Sequence, residues 1–531
     1  MKTSKVLANA RFSGDGDRAI AAVAVTDGRI AATGDLDAAR AASPGGVEII
    51  DLDGAFVYPG FADSHVHVLN YGRSRMGVSC WPSEVDSVAD IVQKVQAAHG
   101  REPAERWLRG RGYDPARLVD GRAPTATELD LPDGRCVVLD SFDFHRRLCN
   151  NAALAAAGIG ANTPDPVGGR IIRDEHGVPT GELIDSARGL VDRVMPPWTE
   201  EEDETAIRLA TEHFLSLGIT RLTNAAPLTM SRAGEEVAAF LRLRNRGLLR
   251  MRFSSMVGID LASAVVDLGL SPAFGDEWFR ISGLKVFADG ALGPRTAYLT
   301  EPYEDDDSRG SMPMSATELA EMVAPAAAAG WPICVHAQGT AATRIVAQVL
   351  ADHPPIGGRL RHRIEHCTLT DDTTIRILTE GGITPVPQPG FLRFRSRDFR
   401  ASLGTSRLSK MFPLRAWIDA GLYPIYSSDA PVIEDARPLP ALATAVSRTD
   451  ADGNVWGPDQ AVDLDEALAM CTSWAARAAG AENEWGSIAP GLLADFTLFD
   501  VDLRKLPVTD LAEVEPLATI VDGVFAWRRD A

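Results

Sequence analysis

The stretch Gly60 to Val68, GFADSHVHV, decides how the rest of the chain is read. The chain has only ten histidines, and two of them, His65 and His67, stand one residue apart here at the end of an apolar run. Residues i and i+2 of a strand face the same side, so both imidazoles would point at one spot. Two neutral imidazoles aimed at one spot suit a metal ion better than a hydrophobic core. The alternative is a strand end with two solvated histidines, and the other strands decide between the two.

Outward from this stretch, strand-like apolar runs alternate with Ala-rich helical patterns such as EDETAIRLATEHFLSLG and ATELAEMVAPAAAAG, as in a parallel sheet. Eight runs read as strands: AFVYPGFADS, GITRLTNA, LRMRFSSMVG, ISGLKVFADG, PICVHA, HRIEHC, GITPVPQP and LYPIYSSDA. That count predicts an α/β fold, a (β/α)8 TIM barrel. The gap after the first run, about residues 70 to 205, is too long for a simple crossover and carries its own strand and helix signals. It is read as an insertion packed over the barrel mouth. Short strands broken by DG and GD turns fill residues 1–58 and return over 484–531. They predict a small β-sandwich domain built from both termini, flanking a barrel domain of residues 59–483.

At 531 residues with 45% apolar side chains, the chain can bury a large core. Its net charge of −20, from 53 basic and 73 acidic side chains, argues against nucleic acid or an anionic membrane as the main partner. The six cysteines lack CxxC spacing, which reads as a reduced chain. With no signal-peptide pattern and no membrane-length apolar run, the expected location is the cytoplasm.

On this map the polar residues at strand ends are not scattered. His65 and His67 end the first strand, Lys285 lies in the fourth, His336 ends the fifth, His366 the sixth and Asp429 the eighth. All belong to the barrel face on which such folds keep their sites. Singly, His336 reads as a satisfied rim residue and Asp429 as a turn residue before Ala430-Pro431. Six coincidences at matching positions read as one metal site. Lys285, inside GLKVFA, would bury an ammonium at a cost of several kcal/mol unless it snorkels out or its charge is removed or paired.

Here a resemblance becomes specific. PGFADSHVH, FDFHRRLCNNAAL, GLKVFADGALGPRTAYL, VHAQG, RIEHC, SSDAPV and GSIAPGLLADFTLFD resemble the amidohydrolase superfamily, within it the YtcJ-like branch that includes N-substituted formamide deformylases. The resemblance implies a barrel with a small β-sandwich, often dimeric, that binds one or two divalent ions, zinc foremost. His65 and His67 match the H-x-H metal ligands, His336 and His366 the second metal's histidines, and Lys285 the lysine that is N6-carboxylated in binuclear members. Asp429 matches the aspartate that binds metal and shuttles the proton, and His366 is also expected to help hold the oxyanion.

Three residues are expected at the substrate. His145 matches a motif whose histidine reaches the pocket, its alternative being a surface residue. Arg295 either holds a substrate carboxylate or carbonyl, or ties down the acidic EPYEDDD loop. Gln388 stands near strand seven where substrate would meet the wall. Asn224 replaces an aspartate common in the family. The implied activity is hydrolysis of an amide, N-formyl or N-acyl C–N bond of a small molecule by metal-activated hydroxide. The alternatives are the same site acting on a lactone, ester or carbamate or as a decarboxylase, and a non-catalytic regulatory homologue.

Overall fold

The computed structural model describes residues 4–13, 20–43, 47–100, 106–142, 144–166, 168–226, 233–357 and 360–529. The chain divides into two compact units: Met1–Val68, Thr211–Asp429 and Asp435–Ala531 form one, and Leu69–Ala210 with Ala430–Glu434 the other.

In the first unit, seven strands pair in parallel in chain order: Phe61–Val66, Ile219–Asn224, Arg252–Gly258, Phe279–Phe287, Ile333–Ala337, Arg363–His366 and Thr384–Val386. They make a nearly closed barrel sheet. Phe61–Val66 and Ile333–Ala337 are buried at every residue, as expected of strands covered on both faces. The eighth predicted strand is not a regular one. Residues 424–429 nevertheless bridge the first and seventh strands: Ile425 N donates to Pro385 O (3.2 Å), Ser64 N to Tyr426 O (3.1 Å) and Asp429 N to His65 O (2.8 Å). The sequence TPVPQP explains the sparse pairing, because its prolines have no N–H for a ladder.

Helices return the chain between strands. Glu200–Ser216 and Ala316–Ala328 fall where the helical patterns predict them. The second begins with a capping box, Ser315 accepting from Glu318 N while the Glu318 side chain reaches back to Ser315 N.

Both chain ends meet in an eight-stranded sheet that includes Ser4–Phe12, Ile20–Thr26, Phe56–Pro59, Phe496–Phe499 and Ala518–Val521. Within Ser4–Phe12, Leu7 packs into a cluster with Val23, Val57 and Phe496, while Val6 and Ala8 join a second cluster with Ala22 and Ala24. The alternation is the period of two of a strand with both faces covered. The run AFVYPGFADS, predicted as one strand, serves two sheets. Phe56–Pro59 pairs antiparallel with Phe496–Phe499, and Phe61–Val66 starts the barrel. Gly60 makes the change of sheet, since a Cβ there would lie 2.3 Å from Thr220 Oγ1.

The second unit holds a six-stranded mixed sheet in the order Gly169–Arg173, Pro179–Asp185, Arg146–Cys149, Val137–Ser141, Leu108–Tyr113 and Val78–Ser79. It has its own cores, around Ile91, Tyr113 and Leu139 and around Leu154, Leu183 and Val191. Among the described residues no helix is long and apolar enough to cross a membrane.

Candidate metal centre

The candidate ligands lie on barrel strands or just past their C-terminal ends: His65 and His67 on the first, Lys285 on the fourth, His336 on the fifth and His366 on the sixth. His65 and His67 leave the first strand with ring centroids 5.5 Å apart. His65 Nδ1 lies 2.5 Å from Glu365 Oε2, and His67 Nδ1 lies 2.9 Å from the Ala226 carbonyl. Both partners are acceptors, which assigns the protons to Nδ1 and leaves each Nε2 lone pair free. Both Nε2 atoms lie 3.4 Å from Asp429 Oδ1.

His366 and His336 stand beside them, with ring centroids 4.4 Å apart and His366 5.3 Å from His65. His336 Nε2 donates to the Gly290 carbonyl at 2.8 Å, leaving Nδ1 free. His366 Nδ1 meets Gln388 Oε1 at 2.8 Å, while Gln388 Nε2 donates to Val386 O (3.0 Å) and Ser427 Oγ (2.8 Å). Val386 O can only accept, so the amide orientation is fixed and the His366 proton sits on Nδ1. Lys285, 1% exposed, has its Nζ 4.9 Å from the centre of the Phe287 ring.

Burial disfavours the charged forms of His65, His336, His366 and Lys285. Burial, followed by the nearby Lys285, holds His336 down to about 3. Burial holds His65 and His366 well below the usual histidine range, Lys285 adding to it for His65 and His336 for His366. Burial also pushes the Lys285 ammonium below its ordinary value, against the pull of Glu365 and Asp429. Two of these residues also hold a left-handed backbone, His366 at φ 68° and Asp429 at φ 58°, which non-glycine residues adopt at a cost of about 1–3 kcal/mol each.

The residues fit a divalent cation. Donor atoms of His65, His67 and Asp429 all lie within 4.8 Å of one another. Asp429 Oδ1 is buried with no hydrogen-bond partner among the described residues, which is costly unless something positive is bound there. Imidazole and carboxylate donors suit zinc and several neighbouring divalent metals.

Three acidic residues that the sequence reading passed over support the ligands. Glu365 is gripped by Arg363 (Nε–Oε1 2.8 Å, Nη2–Oε2 2.9 Å) while it holds His65. Asp63 accepts from His65 N and Ser428 N, and Asp289 from Tyr298, Gln338 and Gly339 N. Burial pushes both carboxyls up to about 7.

The three residues expected at the substrate are placed differently. Gln388 is fully buried behind His366, and both of its amide atoms are engaged there rather than at a pocket wall. Arg295 closes on Asp305 of the acidic loop through Nε at 3.2 Å and through Nη2. His145 belongs to the second unit, where its Nδ1 meets Asp185 Oδ1 at 2.7 Å. Asn224 is buried, accepting from Val68 N and donating to Glu236 and Ser255.

A parallel barrel that gathers four buried histidines, a lysine and an aspartate at its strand ends has the form of a metal-dependent hydrolase. The amidohydrolase family matches residues 48–526, and the chain belongs to that family. It is 30% identical over 523 residues to YtcJ of Bacillus subtilis, named as an amidohydrolase, covering 97% of each chain. It is 28% identical over 523 residues to the N-substituted formamide deformylase of Arthrobacter pascens, covering 96% of this chain and 95% of that one. Among solved structures it resembles an uncharacterized metal-dependent hydrolase from Pyrococcus horikoshii, with a TM-score of 0.80 and 25% identity over 96% of this chain and 99% of the other.

Proposed function

We propose that the protein hydrolyses the C–N bond of an amide, N-formyl or N-acyl amine in a small molecule, with zinc held by His65, His67, Lys285, His336, His366 and Asp429. The observation that carries this reading is Asp429 Oδ1, buried with no hydrogen-bond partner among the described residues and 3.4 Å from the free Nε2 of both His65 and His67. A divalent ion bound there supplies a Lewis acid that acidifies water and polarises a carbonyl oxygen. The deformylase among the relatives supports a formamide or related amide as substrate.

The side chains divide the remaining work. His65 and His67 present Nε2 in a fixed orientation because Glu365 and the Ala226 carbonyl hold their other nitrogens. Burial favours the neutral amine of Lys285. That amine can add carbon dioxide, forming one N–C bond and releasing one proton, to give a carbamate, an anionic group that would serve as a metal ligand. Asp429 takes the proton from the attacking water and passes it to the leaving nitrogen as the C–N bond breaks. Gln388 fixes the proton of His366 on Nδ1, so His366 acts as a ligand through Nε2, in preference to the oxyanion role. The six unpaired cysteines support a reducing location, the cytoplasm.

The test is a substrate screen of the metal-loaded protein beside Asp429→Asn. Formamides or amides should be turned over, and the variant should lose at least about 1,000-fold in kcat while keeping most of its metal. Full activity in the variant would remove Asp429 from the mechanism. Turnover of lactones or esters alone would favour the alternative reading of the same site.

A further inference from the structure

At the opposite end of the barrel from the metal ligands lies a second polar chamber. A cavity of about 60 Å³ is enclosed by the N-terminal halves of the strands, and four arginines line it: Arg221, Arg280, Arg361 and Arg363. Two of them have carboxylate partners. Arg280 pairs with Glu484 at 2.5 Å, and Arg363 with Glu365. Arg361 makes one long hydrogen bond, to the Gly382 carbonyl at 3.4 Å.

Arg221 is the anomaly. It is 8% exposed, and among the described residues its side chain makes no ion pair and no hydrogen bond. Its guanidinium carbon stands 4.5 Å from the centre of the Trp485 ring. Stacking satisfies the face of the guanidinium but none of its five N–H donors. An arginine does not escape this cost by losing its proton, although burial and the neighbouring Arg252 push its pKa down to about 9. Asp495 and Glu484, beyond ion-pair distance, offset only part of that burial, so an anion in the cavity would complete the charge balance. Ser282, on the same wall, has a buried hydroxyl with no partner among the described residues.

We propose that this chamber binds one small tetrahedral oxyanion of phosphate size, gripped by Arg221 and Arg361. The volume corresponds to roughly four to six water-sized spheres, enough for the five heavy atoms of phosphate. Arginine forks match such oxygens in pairs, and low local dielectric strengthens each contact. Exposed Ala479 on the cavity lining gives the anion a way in. The site is chemically separate from the metal centre: its donors are cations and hydroxyls, without imidazole or free carboxylate.

The test is calorimetric titration of inorganic phosphate into the metal-loaded protein, wild type beside Arg221→Gln and Arg361→Gln, with circular dichroism to check folding. Wild type should bind saturably with a dissociation constant below about 1 mM. Each variant should bind at least tenfold more weakly. Phosphate taken up at the metal centre instead would bind all three proteins alike, and that result, or no saturable binding to wild type, overturns the proposal. Should Arg221→Gln fail to fold, Arg361→Gln at the less buried edge of the cavity decides alone.

Discussion

Glu365 shows how one buried residue holds a candidate ligand from behind. Its two oxygens are shared between His65 Nδ1 and the Arg363 fork, all within the barrel interior. A carboxylate behind a ligating imidazole fixes the ring and raises its basicity. Glu365→Gln is therefore expected to weaken metal affinity about 10- to 100-fold, read by competition with a chelator, and unchanged affinity would contradict the role given to Glu365. The six strand-end residues stand out in the sequence because each interrupts an apolar run or ends one. Glu365, Asp63 and Asp289 were open to the same argument that singled out Lys285, since RIEHC and GFADS put an acid inside a buried strand and VFADG puts one just past its end. What no sequence pattern shows is direction: Gln388 was expected to face the substrate, and it faces the back of a histidine.

At the scale of elements, apolar runs and helical patterns placed the strands and helices well, because length and periodicity survive without tertiary context. Two junctions escaped. Residues 424–429 close the ring with single hydrogen bonds instead of a ladder, and the run through Gly60 crosses from one sheet to another. Both depend on neighbours distant in sequence. Gly60 sits against Thr220 with no room for a methyl group. Gly60→Ala should thus destabilise by about 1–3 kcal/mol in urea unfolding, and a neutral effect would mean that the sheet change needs no glycine.

At the scale of the molecule, the terminal sheet and the barrel are fastened by a buried charge cluster. Arg252, fully buried, meets Asp495 at 2.6 and 3.0 Å, with Asp522 at 3.3 Å and the Trp278 ring at 4.6 Å. Removing one partner strands the other, so Asp495→Ala is expected to cost about 3–5 kcal/mol in urea unfolding, and a loss under about 1 kcal/mol would show that the cluster is dispensable. The union of the two chain ends was foreshadowed by matching strand signals, whereas substrate identity was not, because pocket walls come from loops whose contacts no periodicity encodes. The central claim is the metal centre. Its most direct test is metal content per chain by elemental analysis of protein purified without chelator, beside a His65→Ala, His67→Ala double variant. One or two equivalents in the wild type, lost in the double variant, is the predicted result; a wild type with no metal even after reconstitution would contradict it.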